Sequence, residues 1–331
     1  MSDVKAFLYE ICIPLIGILC VLAAVLNTAV FLSRFHVKSR SATLELTYSL
    51  ALSDTWTSLV IAISLIWNSY KPVVLQIHHS TYCFPLTLEA FRTGGLLTGI
   101  LHLTALAFAH YLQIRRPFDH QKLLSLRTVQ VIVFLIWALP PLSLIIYSSS
   151  WPGQGYRNDA CIGIAFYENF YFRALISLII IVLMITTSIL YWKMLSKLTE
   201  VRSKTTAATS VRGRRTVVTA ALIFGTFLVG WMPASILFLL TADGMPLFRK
   251  SGLLVNVLSI VVLINIMIKS MTNPIIYATR IPEIRHFVLH RLLWKILVTI
   301  SSDGKLSQPK CKKIAHSPGG EIARERIKLQ D

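Results

Sequence analysis

Seven blocks of apolar residues punctuate the chain, at about 10–34, 44–68, 84–112, 128–149, 169–196, 214–241 and 252–278, with short polar stretches between them. Each matches the ~20 residues a helix needs to cross the hydrocarbon core of a bilayer. The blocks lack the two-residue alternation of a barrel strand, and in lipid only helices or closed barrels satisfy every backbone polar group. The pattern predicts an all-α membrane protein, a seven-transmembrane helix bundle. After the last block, Ile284, Phe287, Val288, Leu292 and Ile296 recur at helical spacing, with Arg285, Arg291 and Lys295 between them. That pattern predicts a short amphipathic eighth helix on the membrane surface. The expected organisation is a short extracellular N-terminus over 1–9, a seven-transmembrane domain over 10–279, the surface helix over 280–299, and a disordered basic cytoplasmic tail over 300–331.

Composition agrees: 54% of the 331 residues are hydrophobic and only 15% are charged, too apolar for an ordinary soluble domain. The net charge of +18 suggests nucleic acid until its distribution is read. Three Lys and Arg lie near Arg34–Arg40, four in Arg115–Arg127, seven in Lys193–Arg215 and eleven after Thr279. These 25 of 33 share one side of a seven-span protein, and five (Lys5, Lys71, Arg157, Arg249, Lys250) fall on the other. This is the positive-inside asymmetry, which makes the basic face cytosolic and calls for a lipid bilayer, not nucleic acid. The expected location is the plasma membrane, multi-pass, with the N-terminus extracellular and the C-terminus cytoplasmic. The first apolar block is too long for a cleaved signal core and reads as an uncleaved anchor. Of five cysteines, Cys83 and Cys161 fall on the outer side, where a disulfide can form and persist.

Motifs then accumulate span by span. The first span carries Asn27, the second ends Ser-Leu-Ala-Leu-Ser-Asp at Asp54, and the fourth has Trp137 followed by Pro140. The fifth has Tyr191, the sixth reads Phe227-Leu-Val-Gly-Trp231-Met-Pro233, and the seventh reads Asn273-Pro274-Ile-Ile-Tyr277. Six motifs in order, over about residues 10–298, resemble the rhodopsin-like (class A) family of G-protein-coupled receptors. The residues also have a reading of their own. Asp54 is a carboxylate within an apolar span, costly unless paired or hydrated. Pro233 and Pro274 break helical hydrogen bonds and permit kinks, and Trp231 one turn before a kink can pack in two ways or serve as plain core.

The resemblance implies an extracellular ligand, a heterotrimeric G protein on the cytosolic face, possible engagement of arrestin, and a Cys83–Cys161 disulfide. Its activation switch would comprise Asn27, Asp54, His110, Tyr111, Tyr191, Phe227, Trp231, Pro233, Lys269, Asn273, Pro274 and Tyr277. Two departures stand out. Where the family has Asp-Arg-Tyr, this chain has Ala109-His110-Tyr111. The acid is gone, and a permanent bidentate cation becomes a histidine that changes charge near neutral pH. Either coupling runs by an altered route with high basal activity, or the protein is a poor activator. The second departure is Lys269, in a neighbourhood where the family commonly holds a sodium ion with Asp54 and Asn273. A lysine ammonium paired to Asp54 would replace that ion.

The family's pocket lies between spans three, five, six and seven, which offers Glu89, Arg92, Thr93, Leu96, Trp231, Ala234, Ser235 and Phe238. Arg92 stands where aminergic receptors place an aspartate, so a monoamine is disfavoured. Arg92 either holds a ligand carboxylate or phosphate, or pairs with Glu89 one turn away. A peptide or an acidic lipid-like ligand both remain open. Other classes fit less well. A transporter would show repeat symmetry or charges lining a path, and an intramembrane enzyme would show a metal-binding His-Glu-x-x-His or a nucleophile elbow. Neither is present, and no catalytic residue, metal site or cofactor is implied. A receptor-like subunit or decoy that does not couple remains a serious rival.

Overall fold

The computed structural model describes residues 2–38, 40–77, 80–116, 119–202, 207–248 and 252–288. Within them seven helices run in order: α1 (Ser2–Leu32), α2 (Ala42–Leu65), α3 (Cys83–Arg115), α4 (Leu126–Ser148), α5 (Phe170–Arg202), α6 (Ala207–Leu240) and α7 (Leu253–Arg280). Six hold a stretch long and apolar enough to cross a membrane, and in α6 the described apolar stretch is the shorter Gly225–Leu240. Two N-termini are closed by serine caps. Ser41 Oγ accepts from the Leu44 N–H at 3.3 Å, and Ser125 Oγ accepts from the Thr128 N–H at 3.2 Å.

The helices are amphipathic in the sense a bilayer demands. On α1, Phe7, Ile11, Leu15, Ile18, Leu22 and Val25 are exposed at three- and four-residue steps, a face for lipid. Ile13, Ile16, Cys20, Ala23, Asn27 and Val30 are buried on the other face. The polar groups are concentrated inside: Asn27, Asp54, Ser58, Thr98, His102, Ser177, Lys269 and Asn273 are all buried. Such groups are tolerated in a span when they face the bundle and find one another. The His102 ring shows how: its Nε2 lies 2.8 Å from Ser49 Oγ and its Nδ1 2.9 Å from the Thr98 carbonyl, while the Trp137 N–H donates to Ser49 at 3.0 Å. That chain ties α2, α3 and α4 together.

α1 packs on α2 and α7, α5 on α6, and α6 on α7, which closes the ring; α3 touches α2, α4 and α5 and so occupies its middle. Small residues allow this. A Cβ on Gly94 would meet Pro141 Cα at 2.9 Å, and one on Gly95 would meet Thr57 Oγ1 at 2.6 Å. Both are close approaches of the kind that drive helix association in lipid.

The element ends differ from the hydropathy pattern. α1 begins at Ser2, so the residues expected as a separate N-terminal segment continue the first helix; Lys5 lies over the Tyr9 ring one turn on. α2 runs into a π-helical turn, Ile66–Tyr70, and a further turn at Lys71–Val73. α5 and α6 extend past their apolar blocks into what reads as a polar inner loop. Of the eighth helix, Pro282–Arg285 is described, with Ile284 fully buried in the main core cluster. A π-helical turn over 286–288 follows, with Phe287 buried, and the rest of that helix and the tail lie outside the described residues.

Candidate ligand cavity and the buried charge cluster

The N-terminal ends of α3, α5 and α7 and the C-terminal end of α6 surround a cavity of about 300 Å³. α3 contributes Arg92, Thr93, Leu96 and Leu97; α6 contributes Trp231, Ala234, Ser235, Leu237 and Phe238, and Thr241 follows at its end. α5 adds Arg173, Ile176 and Ile180, and α7 adds Ser259, Val262, Leu263 and Ile266. Tyr167, from the loop between α4 and α5, also lines it. Seven of the eight residues expected at a pocket therefore meet here. Glu89 does not line this cavity. It faces a second one of about 280 Å³, with Asn68, Leu86, Cys161 and Tyr167.

The loop beside these cavities is held by a disulfide and by hydrogen bonds, among them Tyr82 N–H to the Ala160 carbonyl at 2.8 Å. Cys83, the first residue of α3, is disulfide-bonded to Cys161. Around that bond Leu86, Phe166 and Cys161 form a small buried cluster. Downstream, a helical turn at Ala165–Glu168 sets Tyr167 between the two cavities.

Arg92 is already engaged. Its Nη2 pairs with Glu89 Oε1, the same oxygen that accepts the Tyr167 hydroxyl at 2.6 Å. Thr93 Oγ1 lies 3.3 Å from the Tyr167 oxygen. Burial holds the Tyr167 phenol above its ordinary range, and the Glu89 carboxylate adds to the rise, so the phenol stays a donor. The arrangement is the i,i+3 pair that the spacing allowed.

Two residues that sequence reasoning passed over complete the cavity. Tyr167 had no motif to mark it. Arg173 did carry a signal, an ionisable residue just inside an apolar span, but it reads there as one more charge near a membrane surface. It is buried, only 9% exposed. Its Nε donates to the Tyr167 carbonyl at 2.9 Å, and its Nη1 to Thr241 Oγ1 at 2.6 Å and the Phe238 carbonyl at 3.4 Å.

Trp231 and Leu96 form the floor of the cavity and also border a small central void of about 10 Å³. Here Lys269 Nζ lies 3.3 Å and 3.4 Å from the two oxygens of Asp54, and Asn273 Nδ2 donates to Asp54 Oδ2 at 2.9 Å. Gly230 makes room for the lysine stem, since a Cβ there would meet Lys269 Cβ at 3.0 Å. Asn27 bridges α1 to α7, its Nδ2 donating to the Ser270 carbonyl at 3.0 Å. The cluster thus joins α1, α2 and α7 directly beneath the cavity.

The inner residues are more dispersed. Phe227, one turn below Trp231, and Tyr277 are buried in the main core cluster, with Tyr111 partly buried against it. Tyr191 packs with Ala107 and Met194. His110 is half-buried at the inner end of α3, and its neighbour Ala109 is fully buried. Pro233 and Pro274 lie inside α6 and α7, close after Trp231 and Asn273 respectively. Among the described residues no cluster of His, Cys, Asp and Glu fit for a metal occurs.

No curated protein matches the chain. The family model for the 7 transmembrane receptor (rhodopsin family) matches residues 26–277, from Leu26 in α1 to Tyr277 in α7. The six motifs in order, the seven helices around a central α3 and this match together place the chain in the rhodopsin family of seven-transmembrane receptors.

Proposed function

We propose that the protein senses an extracellular ligand in the outer cavity and signals to heterotrimeric G proteins at its cytosolic face. The observation that carries this reading is the shared floor. Trp231 and Leu96 border both the cavity and the Asp54–Lys269 cluster, so a ligand pressing on Trp231 acts on the group that joins α2 to α7. Pro233 two residues on gives α6 a pivot, because the ring removes one helical hydrogen bond. The distribution of Lys and Arg supports an extracellular N-terminus and a basic cytosolic face. An arrestin would engage that same face. Lys269 in this reading holds Asp54 in place of a mobile cation.

A receptor-like subunit that does not couple is favoured by one observation, Ala109-His110 at the end of α3. Basal activation measured in cells across G-protein subtypes decides between the two, using the native chain, His110→Arg and Ala109→Asp/His110→Arg. The single variant matters because Ala109 is fully buried, so an aspartate there is stable only if the arginine introduced next to it forms an ion pair with it. Activity of the native chain is the expected result. Silence of the native chain with activity in a restored variant would instead identify a subunit or decoy.

A further inference from the structure

The walls of the outer cavity carry two guanidinium groups and no carboxylate. Arg92 is neutralised by Glu89, and Glu89 faces the adjoining cavity. Arg173 differs. Its three acceptors, two main-chain carbonyls and a threonine hydroxyl, are neutral. Two ring faces flank it, Phe238 at 4.9 Å and Tyr167 at 5.3 Å. No carboxylate among the described residues forms an ion pair with it, and the charges of Glu168 and Glu89 act on it only from beyond ion-pair distance. Of its five N–H donors, Nε uses one and Nη1 two, which leaves Nη2 without a partner among the described residues. A buried cation is ordinarily matched by an anion, because desolvation is costly and neutral dipoles offset only part of it.

From this we infer that the ligand is a small amphipathic anion, a carboxylate or phosphate monoester on an apolar body, and that Arg173 is its anchor. The inference rests on reading this cavity as the ligand site. The planar fork of arginine suits a carboxylate or phosphate oxygen pair. Below the charge the walls are apolar: Leu96, Ile176, Ile180, Val262 and Ile266 surround the space above Trp231. Size argues the same way. A volume near 300 Å³ is at the small end of ligand cavities, which run from about 300 to 1,000 Å³. It accommodates a compact acid and excludes a folded peptide. An amine meets the Arg173 charge, and the nearby carboxylate, Glu89, is already engaged by Arg92 and Tyr167.

Binding, not signalling, tests this, so its failure and the failure of the receptor reading are separable. The full-length protein in nanodiscs is unfolded thermally and followed by a thiol-reactive dye, whose signal rises over that of the partly exposed Cys12 as the fully buried Cys20 is uncovered. The probes are straight-chain and phenyl-substituted carboxylates of six to twelve carbons (~6–12 heavy atoms in the body, matched to a cavity of this class). Hexyl to dodecyl phosphates accompany them, with the matching primary amides and amines as controls. The expected result is a rise in midpoint with one or more anions and none with the matching amide or amine. Arg173→Gln should weaken that dependence at least tenfold, Arg173→Lys should retain part of it, and Arg157→Gln, on the outer loop, should leave it unchanged.

If Arg173 only staples the loop to α5 and α6, Arg173→Gln lowers the midpoint of the free protein but keeps the anion response. That outcome overturns the proposal. Equal stabilisation by amides or amines, or no response to any anion, overturns it as well. Should Arg173→Gln fail to fold, Arg173→Lys and the native preference for acid over amide still decide it. Response to a peptide with a free C-terminal carboxylate, but to none of the small acids, would reject the small-molecule source.

Discussion

At the scale of single residues, Lys269 and Asp54 form an ion pair inside the bundle. Both side chains are buried, and Asn273 supplies a further donor to the carboxylate. Removing one partner strands the other as an unmatched charge, which costs about 3–5 kcal/mol, whereas removing both leaves neutral groups. Lys269→Met and Asp54→Asn should therefore each lower the unfolding midpoint strongly, and the double variant should recover much of the loss. A double-mutant cycle on purified protein measures that coupling; additive effects would mean the two groups do not rely on each other. Lys269→Asn tests the same pair from another side. It frees the carboxylate to bind a cation, so sodium should begin to stabilise this variant while leaving the native chain unaffected. The pairing was legible from sequence, since an acid and a base in two spans of a known arrangement have few other partners. Arg173 was not, because two of its three acceptors are main-chain carbonyls, which no side-chain pattern encodes.

At the scale of elements, hydropathy located the seven spans but not their ends, and the reason is physical. Apolar residues are required only where the chain meets lipid, while helix continues wherever propensity and tertiary contact allow. α5 runs on through Ser196-Lys197-Leu198-Thr199-Glu200 to Arg202, mostly good helix formers with little hydrophobic content. α1 starts at Ser2 because Asp3 to Glu10 suits a helix as well as it suits a surface segment. Packing between helices was equally hidden, since a glycine in an apolar block looks like any small residue. Gly94 and Gly17 separate the two cases. A methyl on Gly94 meets the backbone of Pro141 at 2.9 Å, while one on Gly17 meets nothing within 4 Å. Gly94→Ala should cost about 1–3 kcal/mol through forced separation of α3 and α4. Gly17→Ala should be neutral or gain up to about 1 kcal/mol from helix propensity. Thermal unfolding of the two variants beside the native protein reads the difference, and equal midpoints would mean that α3 and α4 yield easily at this contact.

At the scale of the whole molecule, the two ends of the bundle are linked only if the ligand cavity and the cytosolic face prefer the same conformation. The chain of contacts needed for that is continuous through the middle: Trp231 beneath the cavity, Phe227 one turn further in, and the Asp54–Lys269–Asn273 cluster beside them. Its chemistry changes at the inner end, where His110 stands in place of a permanent cation and Ala109 in place of an acid. Linkage gives a test that does not depend on how fast the G protein turns over. If a G protein binds better to the ligand-bound form by some factor, ligand must bind better to the G-protein complex by the same factor. Coupling free energies of about 1–3 kcal/mol correspond to roughly 5- to 150-fold. Anion binding to the nanodisc protein should therefore tighten within that range when nucleotide-free heterotrimer is added, and GTPγS should abolish the gain. His110→Arg should enlarge the factor, because a fixed guanidinium offers the G protein a bidentate donor that an imidazole lacks. Unchanged ligand affinity with every heterotrimer, in a protein that still binds the anion, would separate the two ends of the molecule and leave a binding subunit without a signal of its own.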